Sequence, residues 1–220
     1  MVCEKNIVHK EWTNPMKKIL FCNIPMKADV DKCVYTSEDY SLPVSETPVS
    51  YPVNAFFEKT LKTDDVVKAI LLVKKDEFGY YKKNVAACIE ELMSAAEKSG
   101  AKVEYKVVDT DFNEMQSTHD KLLLDIVDQF EENAHITADI TFGPKDLPIV
   151  LFTALNFGEK FFDCEIDNIV YGQASFVDGK AVNTKICDMI PLYYLNSVTN
   201  TVNCSSPEKA KEMLKSLLSI

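Results

Sequence analysis

Short apolar runs alternate along this chain with longer stretches whose apolar residues recur at helical spacing, and that alternation constrains the fold more than any other feature. Lys18-Ile-Leu-Phe-Cys22, Val66 to Val73, Val103 to Val108, Ile136 to Thr141 and Ile166 to Tyr171 read as strands. Runs apolar from end to end are typical of strands buried on both faces of a parallel sheet. Between them, Pro52 suits the first turn of a helix to about Leu61. Val85, Ile89, Leu92, Met93 and Ala96 mark a helix over 80–98 that Gly100 stops. Leu122, Leu123, Ile126, Val127 and Phe130 mark another over 117–132, and Leu147 to about Phe157 a further one. Strand and helix in turn imply right-handed βαβ units. The expected fold class is therefore α/β, a Rossmann-like three-layer sandwich with a mostly parallel sheet. Its ligand crevice lies beyond the C-terminal ends of the strands.

The pattern changes after the Ile166 strand. Asp178-Gly179 stands between Ala174–Val177 and Lys180–Asn183, a two-residue hairpin signal, so an antiparallel strand closes one sheet edge. Ser206 as N-cap and Pro207 at the first helical position open a C-terminal helix. Residues 1–16 are polar, with an Asn14-Pro15 break, and read as an N-terminal extension. Residues 17–190 form the ligand-holding domain and 191–220 a helical appendage. Asn23 to Pro52, interrupted by Pro25, Pro43 and Pro48, reads as a long loop with a short hairpin around Cys33-Val34-Tyr35. Loops of this length inside compact domains are often functional.

At 220 residues the chain can bury a sizeable core without disulfides or metals. The formal charge of −10 argues against a broad nucleic-acid surface, which requires a basic footprint. All 24 basic residues are Lys, so any anion must be held by Lys, hydroxyls, backbone N–H groups or helix N-termini. The 7 cysteines are scattered, with no CxxC pair, as in a reduced cytoplasmic protein. The opening MVCEKNIVHKEW lacks the apolar core of a signal peptide, and no run approaches the roughly 18 apolar residues of a membrane span. A G-x-G-x-x-G fingerprint is absent after the first strand, which argues against a nicotinamide or flavin cofactor; none is expected.

Ala138-Asp-Ile-Thr-Phe-Gly-Pro-Lys-Asp-Leu-Pro148 is the most informative segment. Thr141 ends a buried strand, Gly143 permits a sharp turn, Lys145 supplies charge and a helix follows, so hydroxyl, ammonium and helix N-terminal N–H groups can face one anion. The plainer alternative is an ordinary strand-to-helix turn with a solvated Lys. Lys74-Lys75-Asp76 reads first as a solvated turn, yet it stands at the edge where Lys74 can touch a ligand. Tyr80 and Tyr81 are helix-start aromatics, more often packing residues than adenine platforms. Glu104-Tyr105-Lys106 matches half of a metal-nuclease motif, but charge alternation on a half-solvated strand accounts for it better. His119 and His135 have no carboxylate and cysteine set at ligand spacing, so no metal site is expected.

Asp139-Ile-Thr-Phe-Gly143 with Leu147-Pro148, then an apolar helix and Ile169-Val-Tyr-Gly172, resembles the CRISPR-associated Rossmann-fold (CARF) sensor domains of type III CRISPR ancillary proteins. There a D-x-T-x-G…LP turn precedes an I-x-Y-G strand end. With Lys17-Lys-Ile-Leu-Phe21 and its polar loop, the resemblance covers roughly residues 17 to 190. It implies a homodimer that binds cyclic oligoadenylate across its two-fold axis. It also implies ligand contacts at Asn23 and Lys27 after the first strand, and at Thr141, Gly143, Pro144 and Lys145 after the fourth. The first loop reads Cys22-Asn-Ile-Pro-Met-Lys27, without the L-G of many relatives. Many such sensors carry an RNase with an R-x4-6-H motif; a chain without Arg excludes that form, and the stretch after Asp188 is too short for an independent nuclease.

These residues support a sensor domain that binds cyclic oligoadenylate. The alternative is a metal-independent ring nuclease, in which a 2′-hydroxyl attacks its adjacent phosphate. Lys145 then stabilises developing charge, and Thr141 or Asn23 positions the reacting groups. A third is an unrelated Rossmann-like nucleotide-binding protein. No general base is evident in the sequence, so binding ranks first.

Overall fold

The structure is a computed structural model that describes residues 17–201 and 203–218. The N-terminal extension therefore lies outside the described residues. β1 (Lys17–Asn23), α1 (Pro52–Thr60), β2 (Val66–Lys75), α2 (Tyr80–Ser99), β3 (Lys102–Asp111), α3 (Gln116–Val127), β4 (His135–Asp139), α4 (Asp146–Phe161) and β5 (Glu165–Val177) follow one another. β6 (Lys180–Asp188), α5 (Ile190–Thr201) and α6 (Pro207–Leu218) complete the chain.

The strands form one six-stranded sheet in the order β3-β2-β1-β4-β5-β6. Every pairing is parallel except β5 with β6. The α/β sandwich expected from the sequence is thus the observed fold. One core, with Leu20, Leu71 and Val73 from the sheet, packs beneath α1 and α2. The other, with Ile19, Phe21, Ile136 and Ile169, packs beneath α3, α4 and Tyr193 of α5. Crossovers from β1 run to one side on the first face, and those from β4 run to the other side on the second. The strand order reverses between β1 and β4, the point at which such sheets open a crevice.

Local chemistry explains the boundaries. Asp178 (φ +50°) and Gly179 (φ +78°) both take the left-handed conformation that a tight hairpin turn requires. Gly100 ends α2 at φ +80°, and the Ser206 hydroxyl accepts the Lys209 N–H at 3.3 Å to cap α6. β4 stops at Asp139 and does not reach Thr141, because the Asp139 carboxylate accepts the Thr141 N–H at 2.9 Å and bends the chain. α3 ends at Val127, short of 132, and its continuation turns Phe130 inward against Phe21, ring centroids 5.5 Å apart. No hairpin forms at Cys33–Tyr35; instead Cys33 bridges Val49 and Thr36 bridges Lys185. No helix among the described residues is long and apolar enough to cross a membrane.

Candidate functional site

A groove of about 540 Å³ opens where the strand order reverses, between the segment following β1 and the turn following β4. Small-molecule sites commonly enclose about 300–1,000 Å³. Lys27, Thr141, Gly143 and Pro144 line it, so the structure brings together four of the residues singled out from the sequence. Phe112, Phe142, Tyr171 and Phe176 add aromatic walls.

Asp139 organises the turn from below. Fully buried, it accepts the Thr141 N–H through one oxygen and the Val53 N–H, at the start of α1, through the other at 3.2 Å. Burial pushes its pKa above the ordinary carboxylate value, although these hydrogen bonds oppose the shift. Thr141 is spoken for in part as well: its hydroxyl oxygen accepts the Gly172 N–H at 2.8 Å, joining the turn to β5. Gly143 adopts φ +85°, a conformation that favours glycine, and a Cβ there would lie 2.7 Å from the movable end of the Leu147 side chain. Most of the D-x-T-x-G pattern is thus written into the backbone path of this turn.

Asn23 ends β1 directly beneath that turn, its Cβ 3.6 Å from the position a Cβ of Gly143 would take. It is fully buried, and neither its Nδ2 nor its Oδ1 has a hydrogen-bond partner among the described residues. An unpaired buried amide is costly, yet this side chain lies beneath the turn and is not among the groove-lining residues. Lys27 is exposed at the rim, its Nζ 5.8 Å from the centre of the Phe142 ring. Lys145 is the exposed N-cap residue of α4, just beyond the groove lining.

Lys74 is placed differently. It is not solvated but completely buried, with Nζ 2.7 Å from Asp146 Oδ2 and within 3.5 and 3.4 Å of the Asp111 and Asn113 carbonyl oxygens. The ion pair compensates a buried ammonium and keeps Lys74 out of the groove lining. It also sets an anionic carboxylate in the first turn of α4, so part of that helix end is already occupied by the chain's own charge. Tyr80 stacks on Phe78 with centroids 5.4 Å apart, and Tyr81 packs against the α1–α2 core.

His119 and His135 have carboxylate neighbours that chain spacing hid. His119 lies 3.0 Å from Glu114 and 3.5 Å from Asp146, and His135 lies 3.0 Å from Asp167. The nearness of Lys74 Nζ to Asp146 opposes a cation at the first group. Neither histidine lines the groove. Of the groove's own ionisable groups, burial pushes the Cys33 thiol and the Tyr35 phenol upward, which keeps both protonated near neutral pH.

One supporting residue escaped the sequence reading. Asn84 Nδ2 donates to the Pro25 and Lys27 carbonyl oxygens at 2.8 and 2.9 Å, fixing the segment after β1. Its signal was present, since Asn84 is a polar residue four before Cys88 on the buried stripe of α2. Gly172, already part of the Ile169-Val-Tyr-Gly172 motif, has a packing reason: a Cβ there would lie 2.3 Å from Pro52 Cγ, so β5 and α1 approach closely only because it is glycine.

Fold and groove together define a Rossmann-like α/β protein with an open crevice at its topological switch point. No family model matches this chain, and no curated protein matches it in sequence.

Proposed function

We propose that this chain is a cyclic oligoadenylate-binding sensor domain of type III CRISPR antiviral defence, acting in the cytoplasm as a homodimer. The observation that carries the binding role is the convergence of Lys27, Thr141, Gly143 and Pro144 on one groove at the strand-order reversal. The resemblance of the Asp139–Pro148 and Ile169–Gly172 motifs supports the choice of ligand. Its chemistry fits: aromatic walls can stack on adenine, and Lys27 and Lys145 can meet phosphates. A groove open to solvent holds part of a ring, and two-fold pairing supplies the remainder.

The test is incubation of purified protein with radiolabelled cyclic tetra- and hexa-adenylate, followed by separation of bound, free and linear species. Intact bound ring is expected. Linear product would favour the ring-nuclease reading, and the absence of binding to either ring would overturn the proposal. The exposed Lys145 side chain makes no hydrogen bond or ion pair among the described residues, so Lys145→Ala should leave Tm nearly unchanged. A charge-assisted contact contributes roughly 1.5–3 kcal/mol and a two-fold site loses it twice, so affinity should fall by about a hundredfold or more.

A further inference from the structure

The two edges of the sheet are treated differently. At β6, the Thr36 N–H donates to the Thr184 carbonyl at 3.1 Å and the Ile186 N–H donates to the Thr36 carbonyl at 2.9 Å, so the long loop covers part of that edge. β3, ten residues long, pairs only with β2 among the described residues. Its outer N–H and C=O groups form a template for another strand. Glu104, Tyr105 (53% exposed), Lys106 and Val107 (37%) stand open to solvent in succession, and neither Glu104 nor Lys106 is ion-paired within the chain.

Opposed residues of antiparallel strands project from the same face, so a strand paired with its own copy must have its two-fold axis at a residue. Centred on Tyr105, Val103-Glu104-Tyr105-Lys106-Val107 is complementary to itself. Each Glu104 then opposes the partner's Lys106, each Val103 the partner's Val107, and the tyrosines meet. Moving the centre to Glu104 opposes like charges, Glu104 to Glu104 and Lys102 to Lys106; moving it to Lys106 opposes the two Lys106 side chains. Edge charges usually guard a strand against pairing; these disfavour the neighbouring registers and favour one. On the α2 side, Val85, Ile89, Met93 and Tyr105 border an apolar groove that the same docking would cover.

We propose that β3 is a docking edge for a second copy of this chain, paired antiparallel about Tyr105 so that two six-stranded sheets become one. No residue of β3 lines the ligand groove, so this contact is separate from pairing across the ring.

Sedimentation equilibrium of the full chain, without nucleotide, tests it through Glu104→Lys, Lys106→Glu and the double reversal. Each single variant turns two symmetry-related attractions into repulsions and should weaken one association step roughly tenfold, and the double reversal should restore it. Separately, Tyr105→Cys should form a disulfide-linked dimer under mild oxidation much faster than the parent. Val103→Cys should not, because its mate lies about 13 Å away along the strand. A parent whose association is indifferent to the charge reversals, a double variant that stays impaired, or Tyr105→Cys cross-linking no faster than the parent would overturn the proposal.

Discussion

At Asn23 a buried amide meets no protein partner, and an apolar side chain of similar size would relieve folding of that cost. Asn23→Leu should therefore raise unfolding free energy by about 1–2 kcal/mol, read from urea midpoints at constant m. The same substitution should weaken cyclic oligoadenylate binding, because changed packing beneath Gly143 would shift the turn that borders the groove, Asn23 itself lying outside the lining. Gain of stability with loss of affinity is the signature of a side chain kept for binding. A destabilised variant would show that Asn23 is satisfied within the folded chain. Lys74 makes the opposite case: a residue picked out from the sequence for contact is used by the fold to neutralise Asp146.

Among elements, β5 and α1 meet at Gly172, where the ring of Pro52 leaves no room for a methyl group. Pro52 cannot rotate aside as a flexible side chain would, so Gly172→Ala must shift α1 or β5. Overpacking of this kind destabilises by about 1–3 kcal/mol, measurable as a lower urea midpoint. Because the α1 N-terminus also shares Asp139 with the Thr141 turn, the shift should reach the groove and reduce ring affinity too. An unaltered midpoint would mean that β5 yields at no cost.

Across the whole molecule, a charge of −10 with Lys alone as cation suits a compact anion better than a polymer. Titration calorimetry should accordingly give one cyclic oligoadenylate per two chains, with a shallow salt dependence that reflects few phosphate contacts. One ring per chain would show that a single groove encloses the ligand and that pairing across it is unnecessary. The two sheet edges differ, since among the described residues the β6 edge is partly covered and the β3 edge is open, and the proposed β3 docking would be a second organising contact.

Periodicity and turn chemistry are local, and they were enough to determine the order of the strands and of α1 to α4, the Asp178-Gly179 hairpin, the Ser206 cap and the turn that Gly143 makes, though not α5. They also sufficed to place Thr141 and Gly143 at the strand end where the groove opens, whereas Lys27 and Pro144 were singled out through the resemblance. What local pattern does not contain is distance between residues far apart in the chain. The reversal between β1 and β4, the burial of Lys74 against Asp146, the hold of Asn84 on Pro25 and Lys27, and the carboxylates beside His119 and His135 were decided by tertiary structure. Each joins side chains that only the packing of sheet and helices brings within reach, and burial there settles which charges must pair and which amide stays unpaired.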